Sequence, residues 1–278
     1  MSGFIDLHMH TTFSDGLCSP ENLRDIVRGK KLKAFAVTDH DTIEGYRAVR
    51  SLLNDDDPEI ICGVELSVSY EKSDLHVLAY YFDPENKPFN KALKLFQDSR
   101  NLRAKLMVEK LNELGIKVSY GAVEKAAGRG VIGRPHIAEA MYKSGSVSTY
   151  NEAFSKYIGN GKIAHVSKKN FAPDEALKLI HDAGGVAFLA HPVIDDNERF
   201  IEEMAEMGMD GIEVYHPYHK SNDLQRLTET AKRLSLVISG GSDYHGREGR
   251  QSEIGSQKVP EELLGDIKQQ VEQIREKI

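Results

Sequence analysis

Residues 3–16 read GFIDLHMHTTFSDG: a short apolar run ends in two histidines, His8 and His10, one position apart, and Asp15 follows five residues on. Residues i and i+2 of a strand share a face, so the two imidazoles can converge on one object. Paired histidines also arise by chance. Their meaning rests on whether other metal-type side chains arrive at the same place, and that is a question of fold.

Outward from this stretch the chain alternates. Short β-rich runs occur at GFIDL, AFAVT, IICGVELSV, LHVLAYYF, GVAFLA, DGIEVY and LVISG. Segments of helical periodicity separate most of them: SPENLRDIVRGKKL, APDEALKLIHDAGG and DDNERFIEEMAEMG. This rhythm predicts an α/β protein with a parallel sheet, closed or open. Ser19 and Pro20 read as the N-cap and first position of a helix, with Asn22 close behind.

The rhythm breaks between Asn90 and His165, where helical stretches replace strands (NKALKLFQDSRNLRAKLMVEKLNELG, YGAVEKAAG, RPHIAEAMYKSG). This predicts a helical subdomain, 90–165, inserted into a scaffold formed by 1–89 and 166–278. The insertion carries 13 Lys and Arg against 6 Asp and Glu, a balance of +7, so the remainder of a chain with net charge −7 carries −14. A basic cap on an acidic body points to an anionic substrate; a solvated helical face would show the same lysines.

Composition bounds the class. With 278 residues, 40% hydrophobic and 28% charged, the chain has the make-up of an ordinary soluble globular protein. No apolar run approaches the ~20 residues that span a bilayer, and the N-terminus lacks a signal-peptide pattern, so the expected location is the cytoplasm and no membrane partner is expected. No obligate protein partner is evident either. Two cysteines, Cys18 and Cys62, are too few for a disulfide framework and read as small core residues.

Placed on this scaffold, further histidines gather at strand ends. His40 follows the second run in TDHD, Glu65 lies within the third, His76 opens the fourth, His191 follows GVAFLA, and Asp243 and His245 follow LVISG. Six of the 11 histidines therefore join Asp15, Glu65 and Asp243. In a parallel barrel the C-terminal strand ends meet at one mouth. Nine imidazole and carboxylate ligands exceed what one ion needs, and a thiolate-free set suits open, hydrolytic sites for Zn²⁺, Mn²⁺ or Fe²⁺.

The series DLHMHTTFSDG, VTDHDT, GVELSV, LHVLAYY, AHP and GSDYHG resembles the PHP (polymerase and histidinol phosphatase) family. That resemblance implies a distorted (β/α)7 barrel with two to three divalent ions at its mouth. It implies one ion held by His8, His10, Glu65 and Asp243, a second by Asp15, His40 and His245, and a third by His76 and His191 with Glu65 as bridge. The insertion and its GRPHIA segment are most similar to stand-alone phosphoesterases of nucleotides, including 3′,5′-nucleoside bisphosphate phosphatases that also trim RNA 5′ ends. The implied activity is hydrolysis of a phosphomonoester, the 3′-phosphate of a nucleoside bisphosphate or a short RNA 5′ end, by a hydroxide bridging two ions.

Clustered ions neutralise the phosphoryl oxygens and deliver a nucleophile at neutral pH. Positioning would fall to the insertion: Arg100 and Arg103, three apart on one helical face, with Arg134 and His136 at a helix start where anions are favoured. His216 in EVYHP follows a strand, either as a phosphate donor or as the acid protonating the leaving oxygen, while His165, His181 and His219 read as structural or exposed. The alternatives are a histidinol-phosphate phosphatase, which would use the same metal site, and a non-enzymatic metal- or RNA-binding module. A proofreading nuclease joined to a polymerase has no room in this chain.

Overall fold

Three strands at the start of the chain pair as the alternation predicts. In the computed structural model, which describes residues 3–71, 73–167, 171–247 and 253–278, β1 (Phe4–Asp6), β2 (Leu32–Val37) and β3 (Glu59–Tyr70) run parallel. Helices α1 (Pro20–Gly29) and α2 (Glu44–Arg50) make the crossovers. The Ser19 hydroxyl caps α1, accepting from Asn22 N–H at 3.3 Å, with Pro20 at its first position. β2 is buried on both sides: Ala34 and Ala36 pack with Ile5, Leu7 and Ile61, and Phe35 and Val37 pack with Leu23 and Val27 of α1.

β4 (Ser73–Tyr80) departs from the expected parallel sheet, pairing antiparallel with β3 and also with β5 (Val186–Leu189). Only two residues separate Tyr70 from Ser73, and a parallel partner needs a crossover of about a dozen residues or more, so the chain folds into a hairpin. β6 (Gly211–Tyr215) and β7 (Val237–Gly240) restore parallel pairing beyond β5. A short β8 (Val259–Pro260) lies antiparallel on β1, giving the order β7-β6-β5-β4-β3-β2-β1-β8. Leu7 N–H donates to Gly240 O at 3.1 Å and Met9 bridges Tyr244 in parallel, so the ends of β7 and β1 meet and the sheet nearly closes into a barrel. Gly241 permits that seam, because a Cβ there would collide with the backbone of His8.

Between β4 and β5 runs the helical segment. α3 (Lys87–Glu113), capped by Asn86, starts three residues before the expected boundary at Asn90. Its first turns, with Phe89 and Leu93, belong to the barrel's main core; later turns, with Ala104, Met107 and Leu111, form a second core with α4 (Tyr120–Ala127), α5 (Arg134–Lys143) and the π-helical turn that follows α6 (Tyr150–Glu152). α3 is therefore the beam that fixes this segment over the barrel. The chain returns through α7 (Pro173–Asp182), α8 (Ile201–Glu206), α9 (Ser221–Leu234) and α10 (Leu263–Arg275). Cys18 and Cys62 are free and buried in apolar clusters. Among the described residues no helix is long and apolar enough to cross a membrane.

Candidate metal centre

All nine expected ligands meet at one end of the barrel. His8 and His10 lie just past β1, and His40 just past β2; Glu65 points inward from β3, whose neighbours Val64 and Leu66 face the helices. The hairpin explains His76: because β4 runs antiparallel, its early residues lie beside the late residues of β3, with His76 opposite Ser67. His191, Asp243 and His245 follow β5 and β7.

Glu65 is the hub. Its Oε2 lies 3.0 Å from His40 Nδ1, 3.3 Å from His10 Nε2 and 3.4 Å from His8 Nε2; its Oε1 lies 2.6 Å from His76 Nδ1 and 3.0 Å from His191 Nε2. Asp243 Oδ1 is 3.3 Å from His10 Nε2 and 3.5 Å from His8 Nε2, and Asp15 Oδ1 is 3.3 Å from His245 Nε2. Among the described residues three sets present ligand atoms within 4.8 Å of one another: His10, Asp15, His40 and His245; His8, His10 and Asp243; and His40, Glu65 and His76. These sets differ from the family-based grouping: His10 also joins the Asp15 set, His40 joins Glu65 and His76, Glu65 is not in the set of His8, His10 and Asp243, and His191, 3.0 Å from Glu65 Oε1, is in none of the three.

The residues fit cations. Nε2 of His8 and His10, Nδ1 of His40 and Oδ1 of Asp15 are buried without a well-directed hydrogen bond, an arrangement that is costly unless something binds there. Burial alone would raise the carboxyls of Asp15, Glu65 and Asp243, but the surrounding imidazoles outweigh it and hold all three well below the usual range. Conversely, burial would lower His10, yet the Asp243 and Glu65 carboxylates push it up to about 10. The cluster therefore draws positive charge, which protons or divalent ions can supply.

A cleft of about 570 Å³ opens above the cluster, and its walls carry the insertion's arginines. Arg100 is held by the Asp41 carboxylate and donates to Ser67 Oγ at 2.5 Å. Arg103 is buried, donating to Val166 O at 2.6 Å and Asp74 Oδ2 at 3.0 Å. Arg134 donates to Asn160 Oδ1 at 2.6 Å and lies 3.9 Å from Asp74 Oδ2. His136 is buried, and its Nδ1 accepts from Gly133 N–H at 3.0 Å as part of the α5 cap. His216 is fully buried, with Nε2 3.4 Å from Asp243 Oδ2. Of the histidines read as structural, His181 pairs with Asp210 and His219 with Val214 O; His165 lies 3.2 Å from Arg103.

The PHP domain profile matches residues 6–207. The chain belongs to the PHP family. A 5′-3′ exoribonuclease of Haemophilus influenzae is 34% identical over 248 residues, covering 86% of this chain and 89% of its own length. A 3′,5′-nucleoside bisphosphate phosphatase of Chromobacterium violaceum is 32% identical over 254 residues, covering 88% and 89%. A solved structure from Bifidobacterium adolescentis, assigned as a metal-dependent phosphoesterase, superposes with a TM-score of 0.85 at 28% identity and covers 96% of both chains. This PHP protein is a metal-dependent hydrolase of phosphate esters, which removes the non-enzymatic alternative.

Sequence reasoning missed the layer that holds the PHP ligands. Glu213 on β6 is fully buried, with Oε1 2.9 Å from His8 Nδ1 and Oε2 accepting from His191 N–H at 2.7 Å. Asp39 accepts from Thr11 N–H at 2.8 Å, Thr11 Oγ1 at 2.6 Å and Ser14 Oγ at 2.5 Å, fixing the loop that delivers Asp15. Arg247 stacks over the Tyr150 ring at 4.7 Å and lines the cleft. An acidic residue in an apolar strand run, as in DGIEVY, was the available signal for Glu213. His191 (φ 30°) and Asp243 (φ 49°) occupy backbone conformations rare for such residues, and the hydrogen bond to Glu213 helps hold the first.

Proposed function

We propose that this protein removes a terminal phosphate from small nucleotides, principally the 3′-phosphate of 3′,5′-nucleoside bisphosphates, and that it also acts at the 5′ ends of short RNA. The observation that supports this most is the shared cleft: Arg100 and Arg103, on one face of α3, and Arg134, at the start of α5, line the same space as Asp15, Glu65, His76, His191, Asp243 and His245. One end suits the phosphoryl group being hydrolysed, and the guanidinium wall suits a second phosphate on the same molecule. The relatives named exoribonuclease and bisphosphate phosphatase point the same way. Histidinol phosphate carries a single phosphate and leaves that wall without a partner.

We assign two to three divalent ions, Mn²⁺, Zn²⁺ or Fe²⁺, to the nine ligands, with Glu65 as the bridge. Such ions, when bound, neutralise phosphoryl charge and supply a nucleophile at neutral pH. Asp74 aligns Arg103 and lies beside Arg134, so the guanidinium planes are held before substrate arrives. His216 lies beside the ligands, against Asp243. Its Nδ1 accepts Tyr218 N–H at 3.3 Å, which leaves the neutral ring's proton on Nε2, the atom facing Asp243. Its ring is fully buried and lies outside the residues that line the cleft, so in place of the direct phosphate donor or leaving-group acid expected from sequence it is a positioning residue for the Asp243 carboxylate.

The test is phosphate release by Mn²⁺-loaded protein from adenosine 3′,5′-bisphosphate, a 5′-phosphorylated trinucleotide RNA, histidinol phosphate and an aryl phosphate. The expected order of kcat/KM places the bisphosphate first, and a chelator abolishes all turnover. Preference for histidinol phosphate would overturn the reading.

A further inference from the structure

We propose that Glu213 is the positioning residue of the metal centre, setting the proton of His8 and the backbone of His191 so that both rings face the cluster. Its two carboxylate oxygens serve two ligands that follow different strands, β1 and β5. Oε1 lies 2.9 Å from His8 Nδ1, and Oε2 accepts from the His191 backbone N–H at 2.7 Å. A neutral imidazole carries one proton, so donation from Nδ1 to Glu213 leaves Nε2 with a bare lone pair. That Nε2 is buried, without a well-directed hydrogen bond, and lies 3.4 Å from Glu65 and 3.5 Å from Asp243. His191 holds φ at 30°, and the bond to Oε2 restrains it there while its Nε2 reaches Glu65 at 3.0 Å. The Glu213 side chain is fully buried, so it serves nothing outside this layer.

The amide introduced by Glu213→Gln would fill the same volume but has only one acceptor oxygen. If that oxygen keeps the His191 N–H, the NH₂ faces His8 Nδ1, which must then accept, and the proton moves to the Nε2 that should ligate. If the amide turns over, His191 N–H meets a donor. Either way one ligand is lost without a cavity, which separates positioning from packing.

The experiment titrates metal-depleted wild-type protein and Glu213→Gln with Zn²⁺ against a chelating indicator, with ¹⁵N-histidine NMR of the Zn²⁺-loaded forms and thermal unfolding of the metal-free forms alongside. It rests on the ligand roles of His8 and His191 but needs no substrate, so it stands whatever ester is hydrolysed. The expected result is a variant that unfolds near the wild-type temperature and binds at least one Zn²⁺ about 10–100-fold more weakly, the range typical for lost partners of metal ligands. In the Zn²⁺-loaded wild type His8 carries its single ring proton on Nδ1, and in the variant exposed to the same Zn²⁺ it no longer does. In a His8→Ala background the same substitution should weaken that ion little further. Wild-type affinity with His8 still protonated on Nδ1 overturns the proposal, as does affinity lost only because Glu213→Gln fails to fold.

Discussion

Replacing Arg134 by alanine separates recognition from chemistry. Its guanidinium is tied at one nitrogen to Asn160 at 2.6 Å, while Asp74 stands off at 3.9 Å, and its side chain keeps 22% exposure toward the cleft. Of Arg100, Arg103 and Arg134 it is the most exposed, and a charge-assisted bond to a phosphate contributes about 1.5–3 kcal/mol. At about 1.4 kcal/mol per tenfold, Arg134→Ala should lower kcat/KM on a 3′,5′-bisphosphate by roughly ten- to a hundredfold. An aryl phosphate has no second phosphate to lose, so its kcat/KM should change less than about threefold, roughly 0.6 kcal/mol. Arg103 is the wrong residue for this comparison: it is buried against Asp74 and Val166 O, and removing one partner of a buried pair costs about 3–5 kcal/mol of stability. Steady-state kinetics on both substrates, with metal content measured on the same preparation, is the assay. An equal loss on both would place Arg134 at the reacting phosphoryl group or in folding, and would remove the structural reason for preferring a bisphosphate.

Glu65→Gln, nearly isosteric at the hub of five imidazoles, should lower bound metal by at least one ion per chain by elemental analysis; full occupancy would sink the bridging role. His216→Ala removes the ring that faces Asp243 and should weaken metal binding about 10–100-fold, read by Zn²⁺ titration; unchanged affinity would leave His216 a core residue only. Arg103→Ala should lower the unfolding temperature before any effect on substrate discrimination is seen, which calorimetry on the metal-free protein checks.

The sequence by itself determined the strand–helix rhythm, the helical interruption and the nine ligand-type side chains, because each is a local pattern: periodicity, capping, and histidine or carboxylate at the end of an apolar run. The PHP resemblance ordered those residues into one site. Only the tertiary structure decided three things. It reversed β4, since the shortness of the Tyr70–Ser73 connection outweighs the alternation around it, and so showed how an early residue of a strand, His76, joins residues that follow other strands. It divided the arginines, which look alike in sequence, into Arg103, packed against Asp74 and Val166, and the more exposed Arg134, because that difference depends on Asp74, Val166 and Asn160, all distant along the chain. It revealed Glu213 and Asp39 beneath the ligands, since which buried carboxylate meets which imidazole is set by strand register and loop approach across more than two hundred residues for His8 and Glu213, and no local pattern encodes such a distance.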